Sequence, residues 1–181
     1  MHRDNLLSLI HAYNPQDYDE QGYKQTITAF IQNNPNCFER SLDSGHITAS
    51  SWLLNIKHTN ALLLHHKKLN RWFQLGGHCD GNPDVLAVAI KEAQEESGII
   101  SIAPISSAIF DIDVHLIPAN SKEKEHYHYD IRFLLQVTGH EKVIQNEESN
   151  ELRWISKDKS SLPTTERSVT RMFEKWCSLN F

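Results

Sequence analysis

Long apolar runs are missing from this sequence of 181 residues. No window approaches the ~18 to 20 apolar residues that a helix needs to cross a bilayer. The first residues, MHRDNLLSLIHAY, form an apolar patch that His11 and Tyr13 interrupt. They lack the small-residue cleavage site of a signal peptide and favour an amphipathic helix. We therefore expect no membrane partner and a cytoplasmic location.

Cysteine and basic residues are also scarce. The three cysteines, Cys37, Cys79 and Cys177, are odd in number and widely spaced, which excludes both a disulfide framework and a paired zinc knuckle. A formal net charge of −5 and an isoelectric point near 6.1 leave no basic stripe for binding a nucleic-acid polymer. A single nucleotide or another small molecule remains compatible with this balance.

The chain changes character near residue 45. Helical spacing over residues 4–33, broken at Asn14-Pro15, predicts an N-terminal helical appendage over 1–44. A second domain over 45–181 alternates strands and helices, an α+β pattern. We predict strands at 46–54, 61–66, 71–75, 105–117, 126–137 and 152–155, and helices at 83–97 and 165–179. The apolar faces of the appendage need a cover, either the second domain or another subunit of a possible homodimer.

The helix predicted over 83–97 carries the most informative residues. Asn82 is suited to cap it, Pro83 to occupy its first position and Gly98 to end it. Glu92, Glu95 and Glu96 then share one face, since they stand at i, i+3 and i+4.

An ordinary solvated face is the alternative interpretation, because charge runs are usually solvated. However, acids in the last turn oppose the helix dipole, and Glu92 with Glu96 is a like-charge i, i+4 pair. The three glutamates also extend the apolar side of the helix that carries Val88 and Ala89. A divalent cation would neutralise them, and hard oxygen ligands suit Mg²⁺ or Mn²⁺.

The segment from Gly77 to Ile99 resembles the Nudix box, G-x5-E-x7-R-E-U-x-E-E-x-G-U, where U is a bulky aliphatic residue. Gly77, Glu92, Glu95-Glu96 and Gly98-Ile99 fall in register over 23 residues. Three positions depart from the pattern: Pro83 replaces the first glutamate, Lys91 the arginine and Ala93 the U between the glutamates. Asp84, two turns before Lys91, could substitute for the missing acid–base contact.

The resemblance covers about residues 45–181 and implies the Nudix α/β/α sandwich with a mixed sheet. It also implies hydrolysis of a diphosphate bond in a nucleoside diphosphate linked to a group X. In that case Glu92, Glu95 and Glu96 bind Mg²⁺ or Mn²⁺ and act in catalysis, and the Gly77 backbone lies near the phosphates. Two alternatives stay open: a non-hydrolytic Nudix-fold module that binds a nucleotide-like ligand, and an isomerase of diphosphate esters.

The strand at 126–137 alternates between an apolar and a polar face, the latter holding His126, His128, Asp130 and Arg132. Solvent exposure is the ordinary explanation of such a face. Substrate binding by Arg132, His126 and His128 is the alternative, since a guanidinium suits phosphate. Eleven histidines raise the question of zinc, with 65–66, 78–79 and 126–128 as candidates, but none has complete four-ligand spacing.

An acidic loop, residues 146–151, precedes the last predicted strand. Its position resembles the place where many Nudix enzymes add a further glutamate. We predict that Glu148 binds the metal or accepts the proton of the attacking water, with Glu147 and Glu151 as rivals because neighbouring loop side chains point in different directions.

Overall fold

A computed structural model describes residues 2–119, 124–147 and 149–181 of the chain. Within these residues lie four α-helices, seven strands and one short 3-10 turn at Lys159–Ser161. The helices are α1 (Asp4–Ala12), α2 (Tyr18–Asn33), α3 (Val85–Ser97) and α4 (Arg167–Ser178). The strands are β1 (Gly45–Leu54), β2 (Asn60–His66), β3 (Arg71–Phe73), β4 (Leu75–His78), β5 (Ile102–Ile117), β6 (His126–Val137) and β7 (Ser149–Ser156).

The strands form one mixed sheet with β1 at its centre. β1 runs parallel to β6 along one edge, and its other edge pairs antiparallel first with β4 and then with β2. β5 extends the sheet beyond β6, while β3 and β7 both pair with β2. All ten residues of β1 are buried, as expected for a central strand covered on both faces.

Helices cover both faces of this sheet. The first face, which includes Ala49 of β1 and Ile131 of β6, shares a core with α3 and with the two N-terminal helices. Alternation turns Trp52 and Leu134 to the second face, where they pack against α4. The predicted α+β class and the α/β/α sandwich with a mixed sheet are confirmed.

The N-terminal helical segment packs against the first face of the sheet. Its apolar side chains Leu6, Ile10, Ile27 and Ile31 are fully buried. The Phe30 ring also stacks on Tyr129 of β6, with 3.8 Å between ring centroids. The sheet is thus the cover that these apolar faces need, while the domain boundary at residue 45 stays a prediction.

Most predicted elements agree with the structure to within a few residues. The largest difference is the predicted strand at 71–75, which divides at Gln74 into β3 and β4 because the two halves pair with different partners, β2 and β1. Among the described residues, none of the helices combines the length and apolar character that spanning a membrane requires.

Candidate active site

The turn between β4 and α3 sets the position of the acidic helix. Asp84, not Asn82, is the N-cap: its Oδ1 accepts a hydrogen bond of 3.0 Å from Ala87 N. The Asn82 side chain instead accepts from Asp84 N at 3.0 Å and closes the turn before the helix. The predicted cap and first helical position were therefore wrong by two residues. Gly98 ends the helix in the left-handed conformation, φ 71°, as predicted.

Lys91 lies beside the glutamates, and the predicted contact between Lys91 and Asp84 does not form. The Lys91 ammonium lies 3.1 Å from Glu92 Oε1 and 3.0 Å from Glu95 Oε2. These hydrogen bonds, first that to Glu95 and then that to Glu92, raise the pKa of Lys91. The reason is that the Asp84 carboxylate already caps the helix, whereas two other carboxylates lie within reach of the Lys91 ammonium and bind it instead.

Glu92, Glu95 and Glu96 form what we call the carboxylate face. Glu96 Oε2 accepts a hydrogen bond of 2.8 Å from Gly76 N, so this side chain reaches from the helix to β4. The Glu92 side chain is only 18% exposed, whereas that of Glu95 is 59% exposed. The carboxylate face therefore extends from the β4 backbone to solvent.

Gly77 allows the close approach of helix and strand. A Cβ atom built at this position would overlap the Glu92 carboxylate. A side chain here would push the Glu92 carboxylate away, so glycine lets that carboxylate lie directly against the strand backbone. Gly77 thus lies against the carboxylate face, and its predicted place near the phosphates of a substrate stays a prediction.

The segment that precedes the acidic residues contacts the end of α3, and the last three residues of the predicted loop, 149–151, lie in β7. Ile144 N donates a hydrogen bond of 2.7 Å to the carbonyl of the last α3 residue. Glu148, the residue predicted to assist catalysis, lies outside the described residues. Of its rivals, Glu151 accepts two hydrogen bonds from Arg153, at 2.8 and 2.9 Å, and Glu147 is exposed.

The polar face of β6 differs from the predicted one. Arg132 is 1% exposed and takes part in a buried ion network on the second face of the sheet. Its guanidinium donates to Asp130 at 2.7 Å and to Asp111 at 3.0 Å. The expectation that Arg132 faces solvent or binds phosphate was wrong, because strand β5 and helix α4 cover this part of the face and supply its partners. The full network consists of Glu20, Asp111, Asp113, Asp130, Arg132, Arg171 and Lys175.

Opposite charges inside the network keep Asp111 and Asp113 ionised. Burial alone would raise the pKa of Asp111, but the Arg171 hydrogen bonds and the charge of Arg132 outweigh burial and hold it below its usual range. For Asp113, burial is again opposed first by Arg132 and then by a hydrogen bond from His115, and the pKa falls. The network therefore carries charge at neutral pH while its members stay buried.

Next to the network, the same face of the sheet gathers five histidines. We call His46, His78, His115, His126 and His128 the histidine cluster. Burial, followed by the charges of the neighbouring histidines, lowers the pKa of His128 far below its usual range. His128 is therefore neutral near pH 7.

Several of these residues were missed by reasoning from the sequence. A local signal exists, since residues 111, 113 and 115 alternate Asp, Asp and His along β5, and residues 126–132 alternate likewise along β6. The two patterns together predict a polar layer between two strands. His46 has no such signal, because its approach to His78 and His128 depends on the pairing of β1 with β4 and β6.

Comparison with known proteins gives a family match and a set of similar folds. The family model of the NUDIX domain matches residues 45–177. A search of curated protein sequences found no match.

Among solved structures, a NUDIX-family hydrolase from Clostridium perfringens shares 23% sequence identity, with a TM-score of 0.56 over 72% of this chain and 95% of that one. An Ap4A hydrolase from C. elegans shares 16% identity, with a TM-score of 0.57 over 72% and 93% of the two chains. A MutT NUDIX hydrolase from Burkholderia pseudomallei shares 19% identity, with a TM-score of 0.55 over 73% and 98%. These likenesses show a common fold.

The family match covers well over half of the chain and includes all of β4, the turn after it and α3. It confirms the resemblance that the spacing of Gly77 and the three glutamates indicated. The chain belongs to the NUDIX family and is classed with the Nudix hydrolases.

Proposed function

We propose that this protein hydrolyses a diphosphate bond in a nucleoside diphosphate-X compound or a related small molecule, with a divalent metal ion. The carboxylate face is the observation that carries the proposal. Glu92 and Glu96 lie against the Gly76-Gly77 backbone, Glu95 lies on the same helix face toward solvent, and a single lysine contacts Glu92 and Glu95. Such a face attracts a cation and, through it, the phosphates of a substrate.

The donor set fits Mg²⁺ or Mn²⁺. Glu92, Glu95 and Glu96 offer carboxylate oxygens, the ligands that these hard cations prefer. The solvent exposure of Glu95 leaves that side of the face open to a small molecule. When bound, such an ion offsets phosphate charge and lowers the pKa of a water ligand.

The residues around the metal position would orient the substrate and accept a proton. The Gly77 backbone, free of a Cβ, lets a phosphate approach the strand closely. A carboxylate not engaged by the ion would accept the proton of the attacking water. We propose Glu148 for this role because of its place in the sequence just before β7, with Glu147 and Glu151 as rivals and Glu92 as the next alternative.

Family membership and similar folds support the proposed substrate class. One similar protein is an Ap4A hydrolase and another is a MutT-type hydrolase. The first name denotes a substrate that contains linked phosphates, which is the chemistry that the carboxylate face suits. The group X depends on loops and not on the box, so we propose the class of substrate and no single compound.

The test is a panel of nucleoside diphosphate-X compounds and dinucleoside polyphosphates, incubated with the full-length protein in Mg²⁺, in Mn²⁺ or in excess chelator. We expect release of phosphate or nucleotide from at least one compound only when a divalent ion is present. Full activity in chelator would contradict the metal requirement. Binding of a compound without turnover under all conditions would favour the non-hydrolytic module.

A further inference from the structure

The histidine cluster contains a triangle of side chains that strand pairing brings together. His46 of β1 lies opposite His128 of β6 in the parallel register. His78 of β4 lies opposite Thr48, two residues further along the same face of β1. The three ring centroids are 4.7 to 5.0 Å apart. One ring nitrogen from each histidine forms a group in which all distances are within 4.8 Å.

These dimensions are close to those of a metal site. Zinc bonds to imidazole nitrogen at about 2.0 to 2.1 Å in a tetrahedral site, which places two ligand nitrogens about 3.3 to 3.4 Å apart. Small side-chain rotations would bring nitrogens that lie within 4.8 Å to this separation. His46 is 2% exposed, and its pairing with His128 in the β1–β6 ladder restricts its backbone. The three backbone positions are therefore set by the sheet before any ion binds.

Neighbouring groups orient the rings of the cluster. His126 Nδ1 lies 2.7 Å from the Lys124 carbonyl, so it donates there and leaves Nε2 as the acceptor. That Nε2 is 3.3 Å from His128 Nε2, the separation of two ligands on one zinc ion. On the other side, His115 Nδ1 lies 3.1 Å from Asp113 Oδ2. These two hydrogen bonds fix the rings of His126 and His115, which flank the triangle of His46, His78 and His128.

The ligand chemistry distinguishes this cluster from the carboxylate face. Imidazole nitrogens suit Zn²⁺, Co²⁺ or Ni²⁺, whereas Mg²⁺ prefers oxygen. A neutral imidazole is the form that binds metal, and histidines packed this closely repel each other when protonated. An ion would join the three side chains by coordinate bonds that link β1, β4 and β6.

We propose that His46, His78 and His128 bind one zinc-class ion, at a site separate from the carboxylate face. His126 is the nearest residue for a fourth position. The ion would fix β4, the strand whose Gly76 and Gly77 contact the carboxylate face. The site does not depend on the proposed hydrolysis, and its tests do not measure activity.

The experiment starts from metal-free, full-length protein. Zn²⁺ is titrated by calorimetry, and Co²⁺ is titrated by its visible absorption, which reports coordination number and ligand type.

His78→Asn and His128→Asn are the test variants, and His140→Asn, on an exposed loop, is the control. Glu95→Gln/Glu96→Gln removes two oxygen ligands of the carboxylate face. We expect one nitrogen-coordinated ion per chain in the parent, in the control and in the glutamine variant, and at least ~100-fold weaker binding in the test variants.

Two results would overturn the proposal. One is Zn²⁺ affinity in His78→Asn and His128→Asn equal to that of His140→Asn. The other is loss of the ion in the glutamine variant alone, which would assign it to the carboxylate face. Far-UV circular dichroism checks the fold of each variant. If the test variants unfold, zinc-edge X-ray absorption of the parent decides: an imidazole shell supports the site, and an oxygen-only shell refutes it.

Discussion

The carboxylate face and the buried ion network both concentrate acids, and they differ in how the charge is balanced. In the network, the acids Glu20, Asp111, Asp113 and Asp130 face three basic side chains, and every member is almost fully buried. On the carboxylate face, three glutamates share one lysine, and Glu95 and Lys91 are each 59% exposed. The network comes within one formal charge of balance, whereas the carboxylate face keeps two formal negative charges that an external cation can balance.

This difference explains why an arginine was the wrong choice for a phosphate ligand. Arg132 has the right chemistry, but its guanidinium hydrogen bonds with Asp111, Asp130 and the Ser168 carbonyl are already made in the protein. A phosphate would have to displace buried carboxylates to reach it. A charged side chain is therefore not by itself evidence of a binding site. A better indication is surface charge that no neighbouring side chain of opposite charge balances.

The buried ion network should be the most sensitive to a single change. We expect Arg132→Met to lower the free energy of unfolding by about 3 to 5 kcal/mol, because it leaves buried carboxylates without their partner. Arg153→Met is the matched control: its ion pair with Glu151 has both side chains 45% exposed. That change should cost no more than about 1 kcal/mol. Urea denaturation measures both, and equal losses would contradict the comparison.

Substitutions on the carboxylate face should lower turnover without lowering stability. We expect Glu96→Gln to lower turnover at least ~100-fold, a loss of about 2.7 kcal/mol in transition-state stabilisation. The melting temperature should stay the same or rise, since the change removes a like-charge contact with Glu92. Glu174→Gln, an exposed position on α4, should keep the parent's rate. Parental turnover in Glu96→Gln would remove this residue from the proposed mechanism.

Acid should destabilise the protein through the network. The pKa values of Asp111 and Asp113 are lowered in the folded state, so their contribution is fully present above the unfolded value of about 3.9. It is lost as pH falls from there through the lower folded values, by up to about 1.4 kcal/mol per pH unit for each group.

The measurement is the free energy of unfolding from urea curves between pH 6 and pH 2. Asp113→Asn should be less stable than the parent at pH 6 but should show a shallower decline below pH 4. Parallel curves for the two proteins would mean that Asp113 does not contribute to the acid sensitivity.

Of the two regions, the sequence predicts those features that depend on residues close together in the chain. The box places Gly77 and the three glutamates because helix geometry relates residues three and four apart. The alternation of residues along β6 predicts which side chains share a face, but it does not predict which elements cover that face. For this reason Arg132 was expected at the surface and is in fact buried. The partners of Arg132 come from α4 and β5, and those of His46 from β4 and β6. Such contacts depend on strand order and register, which local periodicity does not encode.

The smallest effect is expected at Lys91, which stands where the box has arginine. Its ammonium contacts Glu92 and Glu95 from solvent, so it lowers the repulsion between them and competes with an incoming cation. Lys91→Gln should change stability by less than about 0.5 kcal/mol, as for most exposed positions. It should raise the apparent affinity for Mg²⁺ by no more than about tenfold, the equivalent of 1.4 kcal/mol. Turnover as a function of Mg²⁺ concentration measures this affinity, and Lys91→Arg, which keeps the charge, should behave like the parent. A fall in turnover as large as that of Glu96→Gln would instead mean that the Lys91 ammonium binds the substrate. Hydrolysis would then require Lys91 as well as the three glutamates.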